Sequence, residues 1–216
     1  MKIARSWRIR RSALEEFMRR SEQSQTLVGQ LSSFLKMPDN VLGITQTPEL
    51  MLKLDIAFFQ VGEVRGATMV KYQSQKATGP SADDLCAEME RVGLGWLEDE
   101  GRFFLREESE PQGGRINEIE RLVSEIAEED WSKGRSIWVN FNWVEGLDVD
   151  KALEQQQAIS ELVEDSRLAI KTSVLERELD RWPGAVQRRA QVTHSGTIWL
   201  SESGLALSRV LPPPAL

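Results

Sequence analysis

From Val41 to Val210 two hydrophobic rhythms alternate: short runs rich in β-branched and aromatic residues, and longer stretches with apolar residues every three or four positions. The first rhythm marks strands and the second marks helices with one buried face. Strands are expected at Val41–Thr45, Ala67–Tyr72, Arg102–Arg106, Ser136–Trp143 and Leu168–Thr172. The intervening periodicity predicts helices over Pro48–Val61, from Ser81 to Val92, from Ile116 to about Asp130, and over Val149–Glu164. Pro48 suits a first helical turn, and Gly93 suits a helix stop. Such alternation predicts a three-layer α/β fold, a mostly parallel sheet flanked by helices. Ile137, Trp138, Val139 and Phe141 give the Ser136–Trp143 strand an interior place. Two short helices are expected next, Val174–Trp182 ended by Pro183, and Ala185–Ala190. Gly196–Ser201 and Leu205–Val210, joined by Glu202-Ser203-Gly204, predict an antiparallel C-terminal hairpin at a sheet edge.

Ahead of this domain, Ile3, Trp7 and Ile9 alternate partly with basic residues, as in a short exposed strand. Ser12 and Glu15 have capping-box spacing, and Leu14, Phe17 and Met18 form one apolar stripe. The helix can continue through Leu27, Val28, Leu31 and Leu35 until Pro38-Asp39-Asn40. The expected organisation is an N-terminal element over 1–24, a connector helix over 25–37 and an α/β domain over 38–216.

Charge sharpens this division. Residues 1–20 carry seven basic and two acidic side chains, net +5, whereas the other 196 residues carry 20 basic and 32 acidic, net −12. A polyanion would be drawn to the tip and repelled by the body. The apolar runs fall short of the roughly 18 residues a membrane span requires, and residues 1–5 lack a signal peptide's apolar segment. A soluble, cytoplasmic protein is expected. A single cysteine, Cys86, excludes an internal disulfide, and a single histidine, His194, excludes a Cys/His zinc site.

Familiar catalytic motifs are missing. The turn after the first strand, Thr45-Gln46-Thr47-Pro48-Glu49, has neither the glycine nor the lysine that holds nucleotide phosphates. Neither a GxGxxG turn nor a GxSxG elbow occurs. Neither an enzymatic activity nor a cofactor is expected. Cys86 reads as a small core residue and His194 as a structural one. In open α/β sheets ligands sit beyond the carboxyl ends of the strands. That rule selects Thr45, Gln46, Gln73, Ser74, Asn142, Trp143, Thr172 and Ser173, and the candidate ligand set also takes in Asn140 and Glu176. Asn140 and Asn142 share a strand face by period-two alternation, where they serve a polar ligand or tie down a loop.

Two resemblances follow from the quoted residues. Arg5-Ser6-Trp7-Arg8-Ile9-Arg10-Arg11, followed by Leu14 and Phe17, resembles the wing and closing helix of excisionase-type, MerR-like winged helix-turn-helix domains, with Ala4 where those commonly carry glycine. The resemblance implies a recognition helix upstream of the wing, and DNA contacts from Lys2, Arg5, Trp7, Arg8, Arg10 and Arg11. Val41–Thr45, Phe58–Ala67, Leu97–Phe103, Trp138–Trp143 and His194–Leu200 resemble the MEDS sensory domain, a RecA-like module without a phosphate loop. Asn40 stands where that family often has histidine. The resemblance implies sensing of an unknown small molecule coupled to DNA binding, in a homodimer whose connector helices pair. Two alternatives stay open: an enzyme using the same crevice through Glu176 or His194, and a non-catalytic protein-interaction module.

Overall fold

The computed structural model describes residues 26–74, 76–111, 113–163 and 166–210. The expected wing and the helix beginning at Ser12, with Lys2, Arg5, Trp7, Arg8, Arg10 and Arg11, lie outside the described residues. In chain order the elements are α1 (Leu27–Phe34), β1 (Asp39–Thr45), α2 (Pro48–Val64), β2 (Thr68–Gln73), α3 (Ala82–Arg91), α4 (Trp96–Asp99) and β3 (Phe103–Glu107). Then follow α5 (Arg115–Leu122), a π-helical segment (Val123–Ala127), α6 (Glu128–Ser132), β4 (Ile137–Asn142), α7 (Val149–Val163) and β5 (Leu168–Leu175). The last elements are α8 (Glu176–Leu179), α9 (Gly184–Val192), β6 (Gly196–Ser201) and β7 (Gly204–Arg209).

The seven strands form one sheet in the order β3-β2-β4-β5-β1-β6-β7. Every pair is parallel except the β6–β7 hairpin at one edge. This is the three-layer, mostly parallel α/β class expected from the rhythm of the sequence. β1, β4 and β5 are buried along their whole lengths, because helices cover both faces of a parallel sheet. On the first face, Leu31 of α1, Leu54, Phe58 and Phe59 of α2, Leu85 and Met89 of α3 and Leu97 of α4 pack over Val41, Met69, Trp138 and Ala169. On the second face, α5 and α7 cover Val70, Val139, Phe141 and Ile170, while Ala152, Leu153, Leu179 and Ala190 cover Leu42, Ile44 and Val174.

Local chemistry sets the helix starts. Thr47 caps α2 by accepting the Leu50 amide, and Ser81 and Asp84 form a reciprocal capping box on α3. Three features differ from the sequence expectation. β5 runs on through Leu175 because Val174 and Leu175 pair with Ile44 and Thr45, which leaves α8 a single turn. The helix expected over 116–130 is interrupted by the π segment. Trp96–Asp99 forms a short helix that the periodicity does not mark.

The connector is fastened to this body. Leu31 and Leu35 lie inside the chain's own core, so their packing is intramolecular. The Arg65 guanidinium donates to the carbonyls of Ser32 (2.8 Å) and Leu35 (3.0 Å). Arg209, at the end of β7, donates to both carboxylate oxygens of buried Asp39 (2.6 and 2.7 Å) and to the Phe34 carbonyl, and it stacks 4.0 Å over the Phe34 ring. Among the described residues, no helix is long and apolar enough to cross a membrane.

Candidate functional site

The carboxyl ends of β1, β4 and β2 bring polar side chains onto the first face of the sheet. Parallel register places Lys71, Asn140 and Lys171 side by side on β2, β4 and β5. One step toward the carboxyl edge, Asn142 lies beside Ser173, which lies beside Gly43. Thr45 ends the β1 row. Asn140, Asn142 and Thr45 are fully or almost fully buried. Both amide atoms of Asn142, the Thr45 hydroxyl and the Gln73 amide oxygen find no hydrogen-bond partner among the described residues, whereas the Asn140 amide bears on the Asp55 carboxylate. Each such group left unsatisfied costs about 1–3 kcal/mol.

Beneath these amides lies a buried ionic cluster. The α2 carboxylate Asp55 accepts from the Lys71 ammonium at 3.0 Å and from the Lys171 ammonium at 2.5 Å. Lys171 also donates to the Ser173 hydroxyl at 2.6 Å and sits 5.6 Å from the Phe58 ring centroid. Burial opposes ionisation of Asp55, yet the two lysines outweigh it and hold its carboxyl below the usual range. Burial pushes Lys171 down to about 8, against the pull of Asp55 and with the repulsion of Lys71. Burial also lowers Lys71, opposed mainly by Asp55. Two ammoniums thus share one carboxylate in a medium where an uncompensated charge is costly.

Residues 76–80 pass over Asn142. Gln73 donates to the Pro80 carbonyl at 3.2 Å, Thr78 approaches the Trp143 carbonyl at 3.5 Å, and Ala77 bridges Val144. Gly79 is required where the loop meets the sheet: a Cβ there would stand 2.5 Å from Asn142 Nδ2 and 2.7 Å from Met51 Sδ. Two cavities flank the loop and share Ser74 and Glu107. One, of about 520 Å³, is lined by Gln73, Gly79, Ser81, Leu105 and Arg106 among others. The other, of about 550 Å³, is rimmed by Glu107, Glu108, Glu110 and Glu145 with Lys76. Its floor is a buried Arg115–Glu108 pair, from which Arg115 also donates to the Asn142 carbonyl at 2.7 Å.

Of the residues expected in the crevice, the structure brings together Thr45, Gln73, Asn140 and Asn142. Thr172 points to the other face, where it accepts from Gln156 at 2.9 Å. Trp143 also lies on that face, packed 4.8 Å from Trp182. Gln46 is exposed and accepts from the Glu202 amide at 3.1 Å. Glu176 is half-buried as the first residue of α8 and lines neither cavity. Sequence reasoning named Ser173 beside Thr172 but missed Asp55, Lys71 and Lys171. The available signal was charge inside apolar patterns, with lysines in two strands expected to be buried and an aspartate next to Leu54.

The remaining chemical candidates have local roles. His194 Nδ1 donates to the Ala190 carbonyl at 2.6 Å, and burial pushes its imidazole down to about 4. Asn40 lies at the amino end of β1, where it donates to Ser160 at 2.6 Å. Burial and nearby acidic groups raise the Cys86 thiol, the opposite of what a reactive thiolate needs. Among the described residues, no cluster of His, Cys, Asp or Glu could hold a metal ion.

Fold and site together define a three-layer α/β domain whose first turn lacks a phosphate loop and whose carboxyl edge carries buried amides over buried lysines. No family model matches the chain, and no curated protein matches it. Among solved structures, the PH0250 protein of Pyrococcus horikoshii OT3 is similar over 87% of this chain and 94% of its own, with a TM-score of 0.58 at 8% identity. A KaiC-like protein of the same archaeon, PH0186, is similar over 80% of this chain and 77% of its own, with a TM-score of 0.47 at 12% identity. At 8% identity the first likeness is one of fold alone.

Proposed function

We propose that this chain is a ligand-responsive, DNA-binding transcription regulator of the cytoplasm, in which a MEDS-like α/β domain senses a small molecule. The observation that carries the sensing half is that buried polar side chains with unpaired atoms, Thr45, Gln73 and Asn142, lie at the carboxyl ends of their strands, and that Gln73 lines a cavity of about 520 Å³ there. Ligands of open α/β sheets bind at this edge. The DNA-binding half rests on the basic N-terminal sequence and its likeness to a wing. Lys2, Arg5, Trp7, Arg8, Arg10 and Arg11 make the DNA contacts, the basic ones to phosphates. Two copies act together, as paired modules usually read DNA sites. The Asp55 cluster is fully buried, which argues against an acid–base centre open to substrate.

The test is a gel-shift titration of the full chain on a mixed-sequence duplex over a range of salt. Phosphate contacts by five basic side chains in each of two copies predict a log–log salt slope of about −9, reduced in a variant with Arg5, Arg8, Arg10 and Arg11 changed to alanine. A small-molecule screen by thermal shift then supplies compounds to add to the duplex titration. Absence of duplex binding at low salt refutes the reading, as does a set of stabilising compounds none of which alters duplex affinity.

A further inference from the structure

The sheet has two edges, β3 and β7. Edge strands present unpaired backbone N–H and C=O groups, which soluble proteins guard with charge, proline or bulges. β3 is guarded: Arg106 and Glu107 stand within it, and Arg106 pairs with Glu125. β7 has one charged residue, Arg209, whose charge is taken up by Asp39 and the Phe34 carbonyl of the same chain. Antiparallel pairing with β6 uses alternate residues of β7. The Ser201–Gly204 turn pair and the bond from the Val210 amide to the Ser195 carbonyl set that alternation on the even-numbered residues. Leu205, Leu207 and Arg209 therefore turn their N–H and C=O groups outward, and no strand pairs with that side among the described residues. The flanks of this edge are apolar. A cavity of about 290 Å³ opens between α9 and β7, lined by Val192, Trp199, Ala206 and Val210 among others. Val192 is 65% exposed and Val210 40%. On the opposite face Leu205 and Leu207 are only partly buried against the core.

We propose that β7 is the docking edge for a second copy of this chain, whose own β7 pairs with it antiparallel about a two-fold axis through Leu207. This deepens the paired-copy part of the regulator reading and rests on that part alone. The strand is self-complementary in this register. Leu207 faces Leu207 of the second copy and Leu205 faces Arg209, so every outward-turned residue gains both of its backbone bonds. Leu205, Leu207 and the Arg209 stem make one apolar row across the axis. On the α9 face Ala206 meets Ser208, and Val210 comes over Gly204, which has no side chain in the way. Like charges do not face each other, since each Arg209 stands two residues, about 7 Å, from the axis and already holds the Asp39 carboxylate. A charged peptide would find no matching charge along this edge. The connector helix offers no rival surface, because Leu31 and Leu35 lie in the chain's own core. An edge about 20 Å long and, with α1 and α9 on its two sides, about 20 Å deep buries roughly 800 Å² over both copies, at the low end for specific complexes. The dimer is therefore reversible. Because Arg209 also holds the Phe34 end of α1, pairing brings both α1 helices toward the axis on one face of the joined sheet.

The experiment is sedimentation velocity on the full chain from micromolar to near-millimolar concentration, with amide hydrogen exchange measured at both ends of the range. The expected result is a reversible passage from the mass of one chain to that of two. The amides of Leu205, Leu207 and Arg209 should gain tenfold or greater protection in the concentrated sample, while those of Ala206 and Ser208 are protected in both. Leu207→Pro removes an outward N–H that has no bond within the sheet and should weaken association at least tenfold. Ala206→Lys puts a like charge on each side of the axis and should do the same. Leu105→Lys, on the β3 edge, should leave association unchanged. A chain that stays monomeric throughout overturns the proposal. So does protection of the three outward amides in the dilute sample, the result expected if a segment of the same chain covers the edge. Dimerisation that both β7 substitutions leave intact overturns the β7 interface while the paired-copy regulator stands. Should Leu207→Pro fail to fold, Ala206→Lys and the amide protection decide alone. A β7 dimer that binds no duplex refutes the regulator reading and leaves the interface standing.

Discussion

Acidification acts on one group between neutrality and the range where carboxylates titrate, because the chain has a single histidine. His194 closes α9 onto β6 with its ring almost wholly buried. Its Nδ1 carries the proton donated to the Ala190 carbonyl, a group that can only accept, and Nε2 finds no partner among the described residues. A second proton would place a charge on Nε2 in this apolar setting. Burial therefore drives the imidazole from 6.5 to about 4, against the favourable Ala190 bond and aided by Arg115. The unfolded chain takes up the proton near 6.5 and the folded chain near 4. Between those values the unfolded state binds more protons, so stability falls as pH falls. At 1.36 kcal/mol per tenfold, the gap amounts to about 3 kcal/mol, a large share of a stability of about 5–15 kcal/mol. This contribution is complete above pH 6.5 and gone below pH 4. Urea unfolding at pH 7, 5.5 and 4.5, run on the wild type and on His194→Asn, isolates it, since asparagine keeps a donor for Ala190 and cannot titrate. The wild type should lose about 2.4 kcal/mol more than the variant across this range, and its one imidazole Cε1 proton should titrate near 4. An NMR midpoint near 6.5, or identical pH dependence in the two proteins, refutes the reasoning.

Three further changes probe the framework. Asp55→Asn strands two buried ammoniums and should cost about 3–5 kcal/mol in urea unfolding; adding Lys171→Met should recover part of it, and a loss below about 1 kcal/mol contradicts the cluster described. Gly79→Ala forces a methyl group against Asn142 and Met51, so it should cost about 1–3 kcal/mol and speed amide hydrogen exchange over residues 74–81; unchanged exchange there would contradict the loop's seat. Arg209→Ala leaves the Asp39 carboxylate buried without its partner, at about 3–5 kcal/mol. Hydrogen exchange should then accelerate in α1 as well as in β7, and protection that persists in α1 refutes the fastening.

The sheet was legible in the sequence because period-two and period-3.6 patterns are properties of one segment at a time. Thr45, Gln73, Asn140 and Asn142 were legible for the same reason, each lying at a carboxyl strand end. Thr172 and Ser173 were selected together, because which of them faces the crevice depends on how neighbouring strands align. Only the pairing of Asn142 with Ser173 shows which β5 residue borders the crevice. Trp143 follows Asn142 in sequence and for that reason alternates to the opposite face. Val174 and Leu175 suit a helix or a strand equally, and their partners on β1 decide. Asp55, Lys71 and Lys171 were hidden because each looks like a surface charge until helix and strands are superposed.

One guanidinium joins the first described helix to the last described strand. With Arg209 holding both Asp39 and the Phe34 carbonyl, the domain is fastened like a belt whose buckle sits where chain entry and exit meet. Force applied along residues leading into α1 would load the β7 edge before it reached the interior strands. A disturbance arriving from either end of the chain thus meets the same few atoms first.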